Sequence, residues 1–249
     1  MPCIDRAYIH KLNKEIANKD GFTAWIALQE KVIETEFYTW EELCSGLLPL
    51  SRSTLLIGGK QSVRMALNQI GVAPPDCPQF HDVLQLYLKR RVEVSCLKEL
   101  RQQSARWTLK SPFFVKPLKV AKAFPAHVFT RESSLSITSQ LDEHFEILIS
   151  EYLDFISEWR YFVIEGEIRG VSHYAGRWDI FPSETVVKKA VQDFAKHSPV
   201  SYAIDFGVTI NGESALIEVN DAYSLSSYGL SHSIYLELLM KRWKQIVSI

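Results

Sequence analysis

The chain has 249 residues, 47% hydrophobic and 23% charged, with a formal net charge of −1. That is enough chain to bury a substantial core, as one unit or as two to three small subdomains. The near-neutral balance argues against bulk electrostatic binding to nucleic acid or an anionic membrane, and no apolar run approaches the ~20 residues of a membrane span. Cys3, Cys44, Cys77 and Cys96 are scattered and form no CxxC spacing. This suggests neither a zinc knuckle nor a redox pair and favours reduced cysteines. The first residues contain no signal-peptide apolar stretch, so a cytoplasmic location is expected.

The first part alternates strands and helices. "AYIH" (7–10) reads as a strand. "GFTAWIALQEKV" (21–32) has helical spacing, with Phe22, Ile26 and Leu28 near one face. "ETEFYTW" (34–40) alternates as a strand, and "TWEEL" opens a helix with Thr39 as N-cap and acids in its first turn. "STLLIGG" (53–59) is a short buried strand. "KQSVRMALNQIG" (60–71) is a helix closed by Gly71. This order predicts a small parallel α/β sheet.

The proline-rich "VAPPDCP" (72–78) marks a boundary, which sets residues 1–78 apart from 79–249. A helix is expected through "HDVLQLYLKRRVEV" and another through "CLKELRQQ". Strands and hairpins follow in "SPFFVKPLK", "FEILISEYL", "EWRYFVIEGEIRGVSHY" and "SYAIDFGVTINGESALIEVN". "SETVVKKAVQDFAKH", with a Ser N-cap, and the C-terminal "SIYLELLMKRWKQIV" are helices. Helices interleaved with antiparallel hairpins make an α+β fold.

The last hairpin carries acids where a core strand should be aliphatic. Asn211-Gly212 is a strong turn signal, since both central residues of a type I′ turn need positive φ. With a two-residue turn, Ile210 faces Glu213, and counting back in step sets Asp205 opposite Glu218. A four-residue loop gives the same pairing, whereas an odd loop slips the register. Opposed Cβ atoms lie about 4.5–5.5 Å apart, so two carboxylates there repel unless a cation sits between them. Asp205, Glu218 and Asn220 then share one face, with Ile204, Phe206, Ile217 and Val219 on the other. Hard oxygen donors of this kind suit Mg²⁺.

Cationic side chains complete the pattern. Lys116 lies inside the apolar "FFVKP", where a lone ammonium is costly unless it meets an anion. Lys119 and Lys122 follow in a connection able to fold over a ligand. A two-residue turn at Glu165-Gly166 sets Arg160 opposite Val171 and Phe162 opposite Arg169. Arg160 and Arg169 become diagonal neighbours suited to an oxyanion, with His173 on the same face. Surface ion pairing with Glu158 or Glu167 is the alternative.

In this order, "FFVKP", "ILISEYL", "EWRYFVIEGEIRGV", "AIDFGV" and "LIEVNDAYSLSSYGL" resemble the ATP-grasp superfamily over residues 111–230. The nearest branch is the one defined by one arginine and two lysines. The resemblance implies two antiparallel-sheet lobes clasping ATP, a small lid lobe at about 106–155 and a large lobe at about 156–249. A short parallel α/β subdomain would precede them. It implies ATP and Mg²⁺ as ligands, with the metal on Asp205, Glu218 and Asn220. Lys116 and Lys122 would be the two phosphate lysines. Both would hold α- and β-phosphates, and Arg160, counted with Lys122 as catalytic, would stabilise the transferring phosphoryl group or the acylphosphate. The backbone of Glu151, Tyr152 and Leu153 would meet adenine and Glu158 the ribose. Arg169, Tyr174, Arg177, Ser224 and Tyr228 would line the acceptor site, with Ser226 and Ser227 beside them.

Many members close a glycine-rich loop over the phosphates. Residues 117–130 here contain no glycine, which leaves Lys119 and Lys122 as rival second lysines. The implied activity is ATP-dependent joining of a carboxylate and an amine through an acylphosphate, with a peptide or protein among the candidate substrates. A kinase-like phosphotransferase and a non-catalytic ATP-binding module are the alternatives.

Overall fold

The computed structural model describes residues 4–75, 80–106, 112–118, 123–129 and 138–248. Contacts divide the chain into two units, Met1–Tyr87 with Ile156–Ile249, and Leu88–Phe155.

The first unit opens with β1 (Arg6–Leu12), β2 (Glu15–Ile16), α1 (Lys19–Glu30), β3 (Glu34–Tyr38), α2 (Trp40–Cys44), β4 (Thr54–Ile57) and α3 (Lys60–Gln69). β1 runs parallel to both β3 and β4, as the alternation predicts, while β2 folds back antiparallel on its end. Thr39 caps α2 in a full capping box. Its Oγ1 accepts from the Glu42 amide at 3.2 Å, and its own amide donates to Glu42 Oε2 at 2.7 Å. A 3-10 turn (Asp82–Leu84) and α4 (Gln85–Leu88) follow.

The second unit holds β5 (Val92–Cys96), α5 (Leu97–Arg106), β6 (Phe113–Pro117), β7 (His127–Phe129) and β8 (Glu146–Glu151), with sheet order β5-β8-β6-β7. The helix expected through residues 81–94 therefore stops early. Lys89 has φ +54, and Val92 and Val94 alternate as β-branched strand residues pairing with Ser150 and Leu148. One sheet face buries Leu97, Leu100, Val115, Phe129, Ile147 and Ile149. Lys116 lies on the other face, in register with Leu148, beside the Phe114–Ser150 pair.

The rest of the first unit comprises β9 (Phe155–Ile164), β10 (Glu167–Gly176), α6 (Glu184–Phe194), β11 (Ser201–Thr209), β12 (Ser214–Asp221) and α7 (His232–Val247), with sheet order β10-β9-β11-β12. Tyr202 meets Phe194 of α6 edge-on, while Ser201 donates to the Leu238 carbonyl of α7 at 2.7 Å. Successive residues of β11 thus face different helices. Ser183 precedes α6 without capping it by its side chain; its amide donates instead to Ser214 Oγ at 2.7 Å.

Tyr8, Leu28, Tyr38, Leu56 and Leu67 share one core with Phe162, Ala203, Tyr235, Leu236, Leu239 and Trp243. The N-terminal α/β segment and the C-terminal sheet therefore stabilise each other by joint apolar burial. Two hydrogen bonds stitch the same seam. Trp243 Nε1 donates to the Arg52 carbonyl at 3.2 Å, and Arg52 Nη1 donates to the Val247 carbonyl at 3.1 Å.

Candidate functional site

The β11–β12 hairpin reaches its expected pairing by an unexpected route. Gly212, at φ +80, donates to the Thr209 carbonyl, and the Thr209 amide donates to the Glu213 carbonyl at 2.9 Å. The loop therefore has three residues, 210–212, not two or four. This odd frame pairs Val208 with Ser214 and Phe206 with Leu216. A β-bulge at Ile217 then restores the even frame, which sets Asp205 opposite Glu218 and Ala203 opposite Asn220. Ile217, expected in the core, is the extra residue and only half-buried. Leu216 takes the fully buried position facing Phe206.

Arg160 of β9 supplies the cation that the opposed acids demand. Its Nε donates to Asp205 Oδ1 at 2.8 Å and its Nη2 to Asp205 Oδ2 at 2.7 Å. Both side chains are nearly inaccessible, at 8% and 2% exposure. The amide nitrogen of Asn220 donates to Glu218 Oε1 at 3.0 Å and lies 3.4 Å from Asp205 Oδ2. Burial pushes the Asp205 carboxyl up to about 6, with Glu218 adding to the rise and the Arg160 fork opposing it. Burial also works against the Arg160 charge, but Asp205 outweighs it and the guanidinium pKa lies above its usual value. At neutral pH the pair is ionised.

Two tyrosines complete this face. Tyr174 of β10 hydrogen-bonds Glu158, and burial raises its phenol well above the usual range. The Tyr228 ring stacks on Tyr174 at 5.2 Å with planes 20° apart. The Arg160 guanidinium lies 4.8 Å from the Tyr228 centroid, within cation–π range. Tyr228 has φ +44, a left-handed backbone rare for an aromatic residue, and is 46% exposed.

Other expected members go elsewhere. The β9–β10 turn has two residues, Glu165 at φ +54 and Gly166 at φ +80, and Ile164 pairs with Glu167. A bulge at Arg169 then shifts the ladder, so Phe162 faces Gly170 and Arg160 faces Ser172. Arg169 is not a diagonal neighbour of Arg160; its Nη2 lies 3.5 Å from Glu237 Oε2. His173 pairs across the ladder with Trp159 and packs on its ring at 4.9 Å, on the face away from Arg160. Arg177 forks onto Asp179 at the exposed strand end.

Ser224 Oγ donates to the Gly58 carbonyl at 2.9 Å, and Ser227 donates through both amide and hydroxyl to Asp20 Oδ1 at 2.8 Å. These two serines pin the loop that carries Tyr228. Asp221 caps the turn that follows β12, accepting from the Tyr223 amide at 3.2 Å. It also takes a second buried fork, from Arg242 Nε at 2.7 Å and Nη2 at 2.6 Å, which the sequence reading missed. A signal was available. Arg242 lies on the apolar stripe of α7 with Tyr235, Leu239 and Ile246, where a cation requires a buried acid.

In the second unit, Lys116 is half-buried. The Glu151 carboxylate accepts from the Arg91 amide at 2.8 Å, and the Glu151 amide donates to the Arg91 carbonyl at 3.0 Å. Tyr152 is 41% exposed and Leu153 half-buried. Lys119 and Lys122 lie outside the described residues. Among the described residues no group of three or more His, Cys, Asp or Glu is placed to hold a metal. No helix among them is long and apolar enough to cross a membrane.

An N-terminal parallel α/β segment, two antiparallel four-stranded sheets and a face of paired acids with a central arginine define the ATP-grasp class. The model of the ATP-grasp domain, family 2 of the clade named for one arginine and two lysines, matches residues 87–238. The chain belongs to this family.

Solved structures agree on the fold. D-cycloserine synthetase DcsG aligns with TM-score 0.63 and 12% identity, over 97% of this chain and 99% of that one. The D-alanine–D-alanine ligase of Bacillus anthracis aligns with TM-score 0.55 and 13% identity, over 98% of each chain. The macrocyclase MdnC of Microcystis aeruginosa MRC, bound with precursor peptide MdnA, aligns with TM-score 0.55 and 12% identity, over 94% and 99%. None of the curated proteins matches.

Proposed function

We propose that the protein is an ATP-dependent carboxylate–amine ligase working through an acylphosphate. The observation that carries this reading is the convergence of Arg160, Asp205, Glu218 and Asn220 on one sheet face. Two opposed carboxylates there already draw in a guanidinium and an amide N–H, so the position calls for positive charge. Mg²⁺ fits this donor set and would be held by Asp205, Glu218 and the Asn220 amide. When bound, it supplies charge neutralisation for the phosphates.

The chain's own residues supply positioning and fixed charge, the usual ATP-grasp contribution to phosphoryl transfer. Asp205 keeps Arg160 ionised and aimed, and Arg160 neutralises charge developing on the transferred phosphoryl group. Lys116, with Lys122 or Lys119, holds phosphate oxygens. The backbone at 151–153 meets adenine and Glu158 the ribose. Tyr174 buttresses Glu158, and Tyr228 roofs Arg160 beside the acceptor.

The test is ADP release with Mg²⁺ and pooled amino acids or peptides. Release that depends on both a carboxylate and an amine supports the ligase. A stable phosphorylated product would make it a phosphotransferase, and tight ATP binding without turnover a binding module.

A further inference from the structure

Arg169, expected at the acceptor site, lines a different feature. A groove of about 660 Å³ runs along α7 in the first unit. Its apolar lining comes from Val200, Ile234 and Met240. Its cations come from separate elements: Lys31 from the end of α1, Arg169 from the β9–β10 bulge, and Lys241 and Lys244 from α7. Two carboxylates answer them. Lys241 Nζ is 2.8 Å from Glu165 Oε1, and Arg169 pairs with Glu237. Lys31 and Lys244 have no carboxylate partner among the described residues, although Lys244 is half-buried.

The groove is thus apolar between flanking cations, with positive charge in excess of its own acids. Its α7 lining spans Ser233 to Ser248, a helical rise of about 22 Å at ~1.5 Å per residue. An extended segment of about six or seven residues covers that length at ~3.3 Å per residue.

We infer that this groove docks an acidic peptide segment, with carboxylates on Lys31 and Lys244 and an apolar side chain on Ile234 and Met240. The groove shares no residue with the Arg160 face, so the inference stands independently of the reaction there.

The test is selection of displayed random seven-residue peptides on the full chain without ATP, then fluorescence anisotropy of the best binder. Wild-type protein should enrich Asp and Glu interspersed with apolar residues. Affinity should fall at high salt, and fall about tenfold or more in the Lys31→Glu/Lys244→Glu variant, as expected for losing two charged contacts. Lys31 is exposed and Lys244 half-buried, and an unchanged thermal melt confirms that the variant folds. Selection without acidic enrichment, or enrichment that survives the double reversal, overturns the inference. Displacement of the peptide by glutarate at equal concentration would make the groove a small-anion site and also overturn it.

Discussion

Arg160–Asp205 and Arg242–Asp221 are both bidentate, both buried, and both anchored on the β11–β12 hairpin. Their surroundings differ. Around Asp221 the valences close: its carboxylate takes the fork and the Tyr223 amide, while Arg242 donates once more to Gln245 at 2.7 Å. Around Asp205 the fork is joined by the Asn220 amide and by further acids. That sheet face carries Glu158, Asp205 and Glu218 beside Arg160, and the Asp205 carboxyl is pushed up to about 6. Equal geometry therefore does not mean equal purpose. The Arg242 fork fixes the chain, whereas under the proposed function the acids beside the Arg160 fork would meet further positive charge.

The sharpest test of this contrast is removal of each arginine. Arg242→Ala leaves Asp221 buried and uncompensated, and should cost about 3–5 kcal/mol in urea unfolding. Arg160→Ala should cost less, because Asp205 can take up a proton instead. Equal losses would break the distinction. Next, Asp205→Asn or Glu218→Gln should lower Mg²⁺-dependent ATP turnover by about 10²-fold or more with the circular dichroism spectrum retained. Near-wild-type turnover in both variants would sink the site assignment.

A pH series follows. Asp205 has a raised carboxyl, so the folded state binds its proton more tightly than the unfolded state does. Its ionisation therefore costs stability as pH rises from about 4 through about 6, and the cost is absent below that window. The unfolding free energy of wild type relative to Asp205→Asn should fall across it by up to about 3 kcal/mol. A flat difference would show that Arg160 fully compensates the burial. The smallest effect is expected for Tyr228→Gly. Relief of the left-handed backbone and loss of the ring stack oppose each other, so unfolding should shift by only about 1 kcal/mol. The KM for the acceptor should nonetheless rise.

Much of this was legible in the sequence. The parallel α/β order and the Thr39 cap follow from local spacing and turn chemistry, whereas the facing of Asp205 and Glu218, expected from a two- or four-residue turn, holds only because a bulge offsets the three-residue loop. The bulges at Ile217 and Arg169 were not, because a ladder irregularity has no residue signature as plain as Asn-Gly. The arginine on Asp205 was hidden for another reason: the partner comes from β9, and strand order is a tertiary fact. The strand at Val92–Cys96 was lost because the apolar spacing before it reads equally well as a longer helix.

The three-residue loop and the bulge at Ile217 give the last hairpin two phases, one at the tip and one at the acids. The bulge acts as a phase corrector between them. A tip that gains or loses a single residue can keep Asp205 against Glu218 if the strand gives up its extra residue at 217. The loop is then open to sequence drift while the chemistry below it stays in step.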